Sequence, residues 1–129
     1  MSNRADKKIL VVDDQPDIRM LVRLALESTG RYQFFEAQDG ATALELTRSL
    51  RPHLIVLDVT LPGELDGLQV CGLVKRDPML QSTAVILLTS RGQYTDIAAG
   101  ERAGADAYML KPFSPLELAN TIAKMMLNA

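Results

Sequence analysis

Three stretches of the chain are apolar at every position: Ile9–Val12 (ILVV), Leu54–Leu57 (LIVL) and Ala84–Leu88 (AVILL). None of them alternates, so each reads as a strand buried on both faces, as in a parallel sheet covered by helices. Two further candidates, 32–37 (YQFFEA) and 107–110 (AYML), complete five strands. Between them the apolar spacing changes to that of helices. Pro16 suits a first helical turn, Ile18, Leu21, Val22, Ala25 and Leu26 follow at helical intervals, and Gly30 is the expected stop. Further helices are predicted over 39–50 with Asp39 as cap, 67–76 ending before Pro78, the Ala-rich 94–103, and 114–129 with Ser114 as cap and Pro115 in the first turn. Strand and helix alternate five times. That order predicts an α/β fold: a five-stranded parallel sheet with right-handed crossovers and helices on both faces.

The polar residues that end the apolar runs carry the chemistry. ILVV runs into Asp13-Asp14, LIVL into Asp58, AVILL into Thr89-Ser90 and AYML into Lys111-Pro112. In a parallel sheet all these ends lie along one edge, and ligands of open α/β sheets bind outside it. Each residue alone has a plainer reading: an Asp before a helix is a cap, Asp58 a loop residue, Thr89 a strand end, Lys111 a surface charge. Together they place three carboxylates, a hydroxyl and an ammonium in one pocket. Carboxylates that close repel one another, and a divalent cation relieves the repulsion. Oxygen-only ligands suit Mg²⁺, which keeps some waters and accepts a phosphate oxygen.

Composition narrows the possibilities. At 129 residues the chain has the length of one domain, large enough to bury a sizeable core. Fourteen Lys and Arg against sixteen Asp and Glu leave a net charge of −2, which gives no general pull toward nucleic acid or an anionic membrane. The single cysteine, Cys71, excludes an internal disulfide and a Cys-based metal cluster and fits a reducing compartment. The first residues, MSNRADKK, hold no signal-peptide apolar region, and no apolar run approaches the ~18 residues of a membrane span. The expected location is the cytoplasm. His53 precedes the third strand, away from the pocket edge, and reads as structural or solvated. Cys71 reads as a small apolar residue, Met109, Met125 and Met126 as packing, Pro62-Gly63 as a turn, and Glu64 and Asp66 as solvated loop charges.

The segments VVDD, LDVTLPG, LLTS and MLKPF, in this order and spacing over about residues 8–127, resemble the receiver domains of response regulators in two-component signalling. The resemblance implies the flavodoxin-like receiver fold with strand order 2-1-3-4-5. It implies Asp58 as phosphoacceptor, supplied by a histidine kinase or a histidine phosphotransfer protein. It implies Mg²⁺ held by Asp14 directly, by Asp13 through water, and by Asp58 and the backbone carbonyl of Thr60. Lys111 would pair with Asp58 and then with the phosphoryl group, Thr89 would hydrogen-bond that group, Tyr108 would be the switch aromatic, and the Lys111–Pro112 bond would be cis. The implied output is a changed protein-binding surface over about residues 91–127, including the region of Tyr94 and Ile97, with a phosphorylation-linked dimer as one form of it. Two departures from the family pattern stand out. The LPGELDG loop is one residue longer than usual, and Thr60 and Arg91 occupy the positions that flank the path of attacking water.

Other classes fit less well. A haloacid-dehalogenase-like hydrolase needs a second Asp two residues past its nucleophile, where this chain has Thr60, and a flavodoxin needs a hydroxyl- and Gly-rich loop where it has DDQPD. No Gly-rich phosphate loop with Lys-Ser/Thr occurs. The expectation is therefore a switch that catalyses only its own phosphorylation and dephosphorylation. The alternatives are an interaction module that has lost the chemistry, or a fragment of a larger regulator or hybrid kinase. Met1 and the absence of an output segment or trailing linker favour a stand-alone single receiver over 1–129, without direct contact to nucleic acid or insertion into a membrane.

Overall fold

The computed structural model describes residues 6–90 and 94–127, and for 94–97 the backbone alone. Arg91 and the side chains of Tyr94 and Ile97, all singled out above, lie outside the described residues. Five strands, β1 (Lys7–Val12), β2 (Tyr32–Ala37), β3 (Leu54–Asp58), β4 (Ala84–Thr89) and β5 (Ala107–Leu110), alternate with five helices: α1 (Pro16–Glu27), α2 (Gly40–Leu50), α3 (Gly67–Arg76), α4 (Tyr94–Ala103) and α5 (Pro115–Leu127). All strand pairs are parallel, in the order β2-β1-β3-β4-β5. None of the described helices is long and apolar enough to cross a membrane.

The unbroken apolar runs have the cause inferred from the sequence. Successive residues of β3 enter opposite cores: Leu54 and Val56 pack with α1 and α5 through Val22, Leu26, Leu118 and Ile122, whereas Ile55 and Leu57 pack with α2 and α3 through Leu44, Val70 and Val74. With both faces covered, neither face of the strand can be polar. Cys71 belongs to the second of these cores, and burial pushes its thiol up to about 11.

Helix ends show where local chemistry departs from the expected boundaries. α1 stops at Glu27, short of Gly30, because Ser28 and Thr29 turn their hydroxyls onto the carbonyls of Ala25 (3.0 Å) and Leu26 (3.2 Å) and satisfy them there. Leu21 lies on the flank of that helix and is half exposed. Neither Asp13 nor Asp14 caps α1. The cap position is Gln15, without a side-chain bond, and Asp13 instead accepts from the Gln15 amide. Asp39 and Ser114 do cap their helices, accepting from the amides of Thr42 and Glu117. Asp66 is no free loop charge: it forms a reciprocal capping box with Gln69 at the start of α3.

At the N-terminal edge of the sheet the polar groups satisfy one another. Lys75 Nζ reaches the Asp106 carboxylate (2.8 Å) and the Thr83 carbonyl (2.7 Å), and Thr83 Oγ1 donates to the Pro52 carbonyl. His53 Nδ1 accepts the Lys8 amide at 2.9 Å. Burial, then Lys7 and Lys8, holds the imidazole below its ordinary pKa of 6.5, so the fold favours the neutral ring. A depressed folded-state pKa contributes stability above the unfolded value and loses it as pH falls. Acidification from about pH 7 to about pH 5 should thus lower the urea midpoint more in the wild type than in His53→Asn, which keeps an acceptor without a titrating ring. Equal slopes in the two proteins would rule out this role.

Candidate functional site

The backbone ladder fixes the opposite edge. Asp58, last in β3, pairs with Leu88, and the next amide, Val59 N–H, donates to the Leu88 carbonyl at 2.8 Å. Lys111 N–H donates to the Thr89 carbonyl at 2.7 Å, and Asp13 N–H to the Ala37 carbonyl at 3.2 Å. Each polar residue thus ends or follows a strand and is held by the ladder that orders it, although the strand before Lys111 is only partly buried.

Asp13 is fully buried and Asp58 is 6% exposed, whereas Asp14 faces solvent. Oxygens of the three carboxylates lie within 4.8 Å of one another. Lys111 Nζ joins two of them, at 2.8 Å from Asp13 Oδ2 and 3.1 Å from Asp58 Oδ2. The second oxygens are held by backbone: Asp13 Oδ1 by Gln15 N–H (2.9 Å) and Asp58 Oδ1 by Thr60 N–H (3.2 Å). Burial pushes the Asp58 carboxyl above its ordinary pKa; the Lys111 hydrogen bond opposes the rise and the Asp13 charge adds to it. Burial pulls the Lys111 ammonium down, but the hydrogen bonds to Asp13 and Asp58 outweigh it and leave the ammonium harder to deprotonate than a free lysine. With the carboxylates ionised, one ammonium leaves the three-carboxylate cluster two negative charges in excess. The donors are oxygen only, two of them preset by backbone, which fits a hard divalent cation.

Most residues expected at the site converge there. Thr89 ends β4, 4% exposed, beside Asp58 in the ladder, and Thr60 contributes the amide already described. The Lys111–Pro112 peptide is cis. Tyr108 does not enter the pocket. It stands three residues before Lys111 on β5, 37% exposed, with its hydroxyl 3.2 Å from Glu101 Oε1 of α4.

Three residues escaped sequence reasoning. Gly67, first in α3, lies so close to β3 that a Cβ there would stand 2.0 Å from the Asp58 carbonyl oxygen. Arg19 of α1 donates to the Asp13 carbonyl at 2.6 Å and to Glu36 Oε1 of β2 at 2.7 Å. Glu101 meets Tyr108 across the α4–β5 turn. An arginine one turn into the helix that follows an acidic loop was a usable hint for Arg19, whereas the pairing of Glu101 and Tyr108 needs the turn geometry.

Residues 9–123 match the response regulator receiver domain family. The chain belongs to that family. This receiver is 42% identical over 120 residues, 93% of its own length and 52% of the relative's, to the phosphate regulon transcriptional regulatory protein PhoB of Klebsiella pneumoniae. It is also 42% identical over 113 residues, 88% of its length and 45% of the relative's, to the alkaline phosphatase synthesis transcriptional regulatory protein PhoP of Bacillus subtilis. The chain therefore spans about half the length of these curated relatives. In three dimensions the receiver resembles a response regulator from Chloroflexus aurantiacus with a TM-score of 0.88 at 31% identity, covering 95% of this chain and 99% of that one. As a receiver domain of two-component signalling it is a phosphorylation-activated switch.

Proposed function

We propose that Asp58 is the phosphoacceptor of this receiver, supplied by a phosphohistidine on a kinase or phosphotransfer protein. The observation that supports this most directly is the setting of its carboxylate. It is nearly buried at the end of β3, with one oxygen held by Thr60 N–H and the other by Lys111, inside a cluster of three carboxylates. In the transfer, an Asp58 oxygen attacks phosphorus, the phosphorus–nitrogen bond breaks, and the donor imidazole leaves with the electron pair. The product is an acyl phosphate, and water attacking the same phosphorus returns the Asp58 carboxylate. Such chemistry depends on in-line placement and charge neutralisation more than on further covalent steps.

The neutralising groups are at hand. Lys111 already bonds Asp58 and can follow the charge onto the phosphoryl oxygens. Asp14 would ligate Mg²⁺ directly, Asp13 through water, with Asp58 and the Thr60 carbonyl completing the protein's share. When bound, the ion screens the repulsion between the carboxylate and the incoming phosphoryl group. Thr89 would donate to the new phosphoryl oxygens and Tyr108 would turn inward behind it, altering the face formed by α4, β5 and α5 for a protein partner in the cytoplasm or for a second copy of the chain. We read residues 8–127 as one such receiver unit, acting on proteins rather than on nucleic acid or membrane.

With acetyl phosphate and Mg²⁺ the protein should gain one hydrolytically labile phosphoryl group, visible by intact-mass measurement, and a chelator should remove the gain. Undiminished labelling in excess chelator would show that the carboxylate cluster serves something other than a cation.

A further inference from the structure

Asp14 is the least supported member of the acidic cluster. Asp13 is gripped at four points: its amide by Ala37, its carbonyl by Arg19, and its two carboxylate oxygens by Gln15 and Lys111. Asp58 is held by Thr60 and Lys111. The Asp14 carboxylate is exposed and accepts no hydrogen bond among the described residues. Its direction is therefore set by its backbone, and the peptide that leads into it is the one whose carbonyl Arg19 holds.

Arg19 is built for that task. Its side chain is only 15% exposed although it belongs to a surface helix, and the guanidinium bridges two elements: Nη1 lies 2.6 Å from the Asp13 carbonyl oxygen and Nε 2.7 Å from Glu36 Oε1 on the edge strand β2. The planar fork satisfies both acceptors at once, which a lysine ammonium on a flexible stem does less well. We propose that Arg19 is a positioning residue for cation binding: by bracing the Asp13 carbonyl against Glu36 it fixes the Asp13–Asp14 peptide and so the direction in which Asp14 presents its carboxylate. The proposal rests on the reading of the acidic pocket as the cation site.

Charge and position predict opposite signs, which makes the role testable. A guanidinium on the backbone carbonyl of a cluster residue disfavours a cation there by repulsion, so deleting it for electrostatic reasons alone tightens Mg²⁺. Loss of an outer partner that orients a ligand weakens the metal, typically by about 10–100-fold. Mg²⁺ affinity is read from amide shifts of residues 13–15 and 58–60 during titration of the intact chain, without phosphodonor. Arg19→Ala should bind Mg²⁺ at least about tenfold more weakly than wild type, and Arg19→Lys, which keeps the charge and one hydrogen bond, should fall between them. Glu36→Gln, which weakens the far end of the brace, should move in the same direction by less. Urea melts of each variant confirm folding, and if Arg19→Ala does not fold, Arg19→Lys against wild type decides. Affinity in the Arg19 variants equal to or tighter than wild type overturns the positioning role. A wild-type protein that shows no Mg²⁺-dependent shifts overturns the cation reading of the pocket itself, and the inference falls with it.

Discussion

Asp58→Asn should take up no phosphoryl group from acetyl phosphate while remaining folded. An amide at position 58 keeps the shape of the side chain but only one acceptor oxygen, so it retains the bond from Thr60 or the one from Lys111 and not both, and it cannot form the acyl phosphate. Folding should not suffer. Burial and the nearby Asp13 make the Asp58 anion unfavourable, and its raised pKa means that it costs stability as pH rises through that pKa, so a neutral side chain should raise the melting temperature at neutral pH. The expected result is thus a split: labelling at background, stability equal or higher. Labelling equal to wild type would remove Asp58 as the acceptor. In the same assay Thr89→Ala should still be labelled but should lose the amide shifts that beryllofluoride produces over 98–127 in the wild type. A full wild-type shift pattern in that variant would mean the signal leaves the pocket by another route.

Gly67→Ala should be the most damaging single methyl in the receiver. A Cβ at position 67 would lie 2.0 Å from the Asp58 carbonyl oxygen and 2.8 Å from both the Asp58 carbonyl carbon and Val59 Cα. All three neighbours are backbone, so nothing can rotate away. α3 would have to retreat, stretching the bond from Gly67 N–H to the Val59 carbonyl, now 2.9 Å, and disturbing the Asp66–Gln69 capping box. A cost of about 3 kcal/mol, at the upper end for overpacking, would lower the melting temperature by roughly 10 °C. Because the displaced atoms belong to Asp58 itself, phosphoryl uptake should slow even in the fraction that folds. Gly72→Ala is the matched control: the added methyl meets only the flexible end of Arg76, and the change should be neutral or mildly stabilising. Similar melting temperatures for the two variants would show that α3 yields at position 67 without cost.

The strands and their order of events were legible because the signal is long and redundant: Ile9–Val12, Leu54–Leu57 and Val85–Leu88 are fully buried, and no polar residue interrupts them. The pocket was legible for a related reason, since Asp13, Asp58 and Thr89 are the first polar positions beyond these runs and Lys111 is the first beyond the apolar but partly exposed AYML of β5. Contacts that depend on how two elements approach were not legible. Arg19 reaches Asp13 and Glu36 only once α1 lies against β2, and the cost of a side chain at Gly67 exists only because α3 starts against β3. The end of α1 and the role of Asp66 differ from expectation for another reason, since the bounds of α3 are those expected: the Ser28-Thr29 hydroxyls and the Asp66–Gln69 pair act by bonding backbone groups at a helix end, which the apolar pattern does not report.

The separation of the interior into two cores has an evolutionary consequence. The helices on one side, α1 and α5, and those on the other, α2 and α3, drive their side chains into different clusters, with the sheet as the wall between them. The pocket belongs to neither side, because it is assembled from the rims of strands that both sides share. A lineage can therefore redraw one helical face to suit a new interlocutor while the opposite face and the chemistry stay as they were. Divergence in this chain should accumulate on one side at a time, and grafting the helices of a relative should succeed face by face more readily than helix by helix.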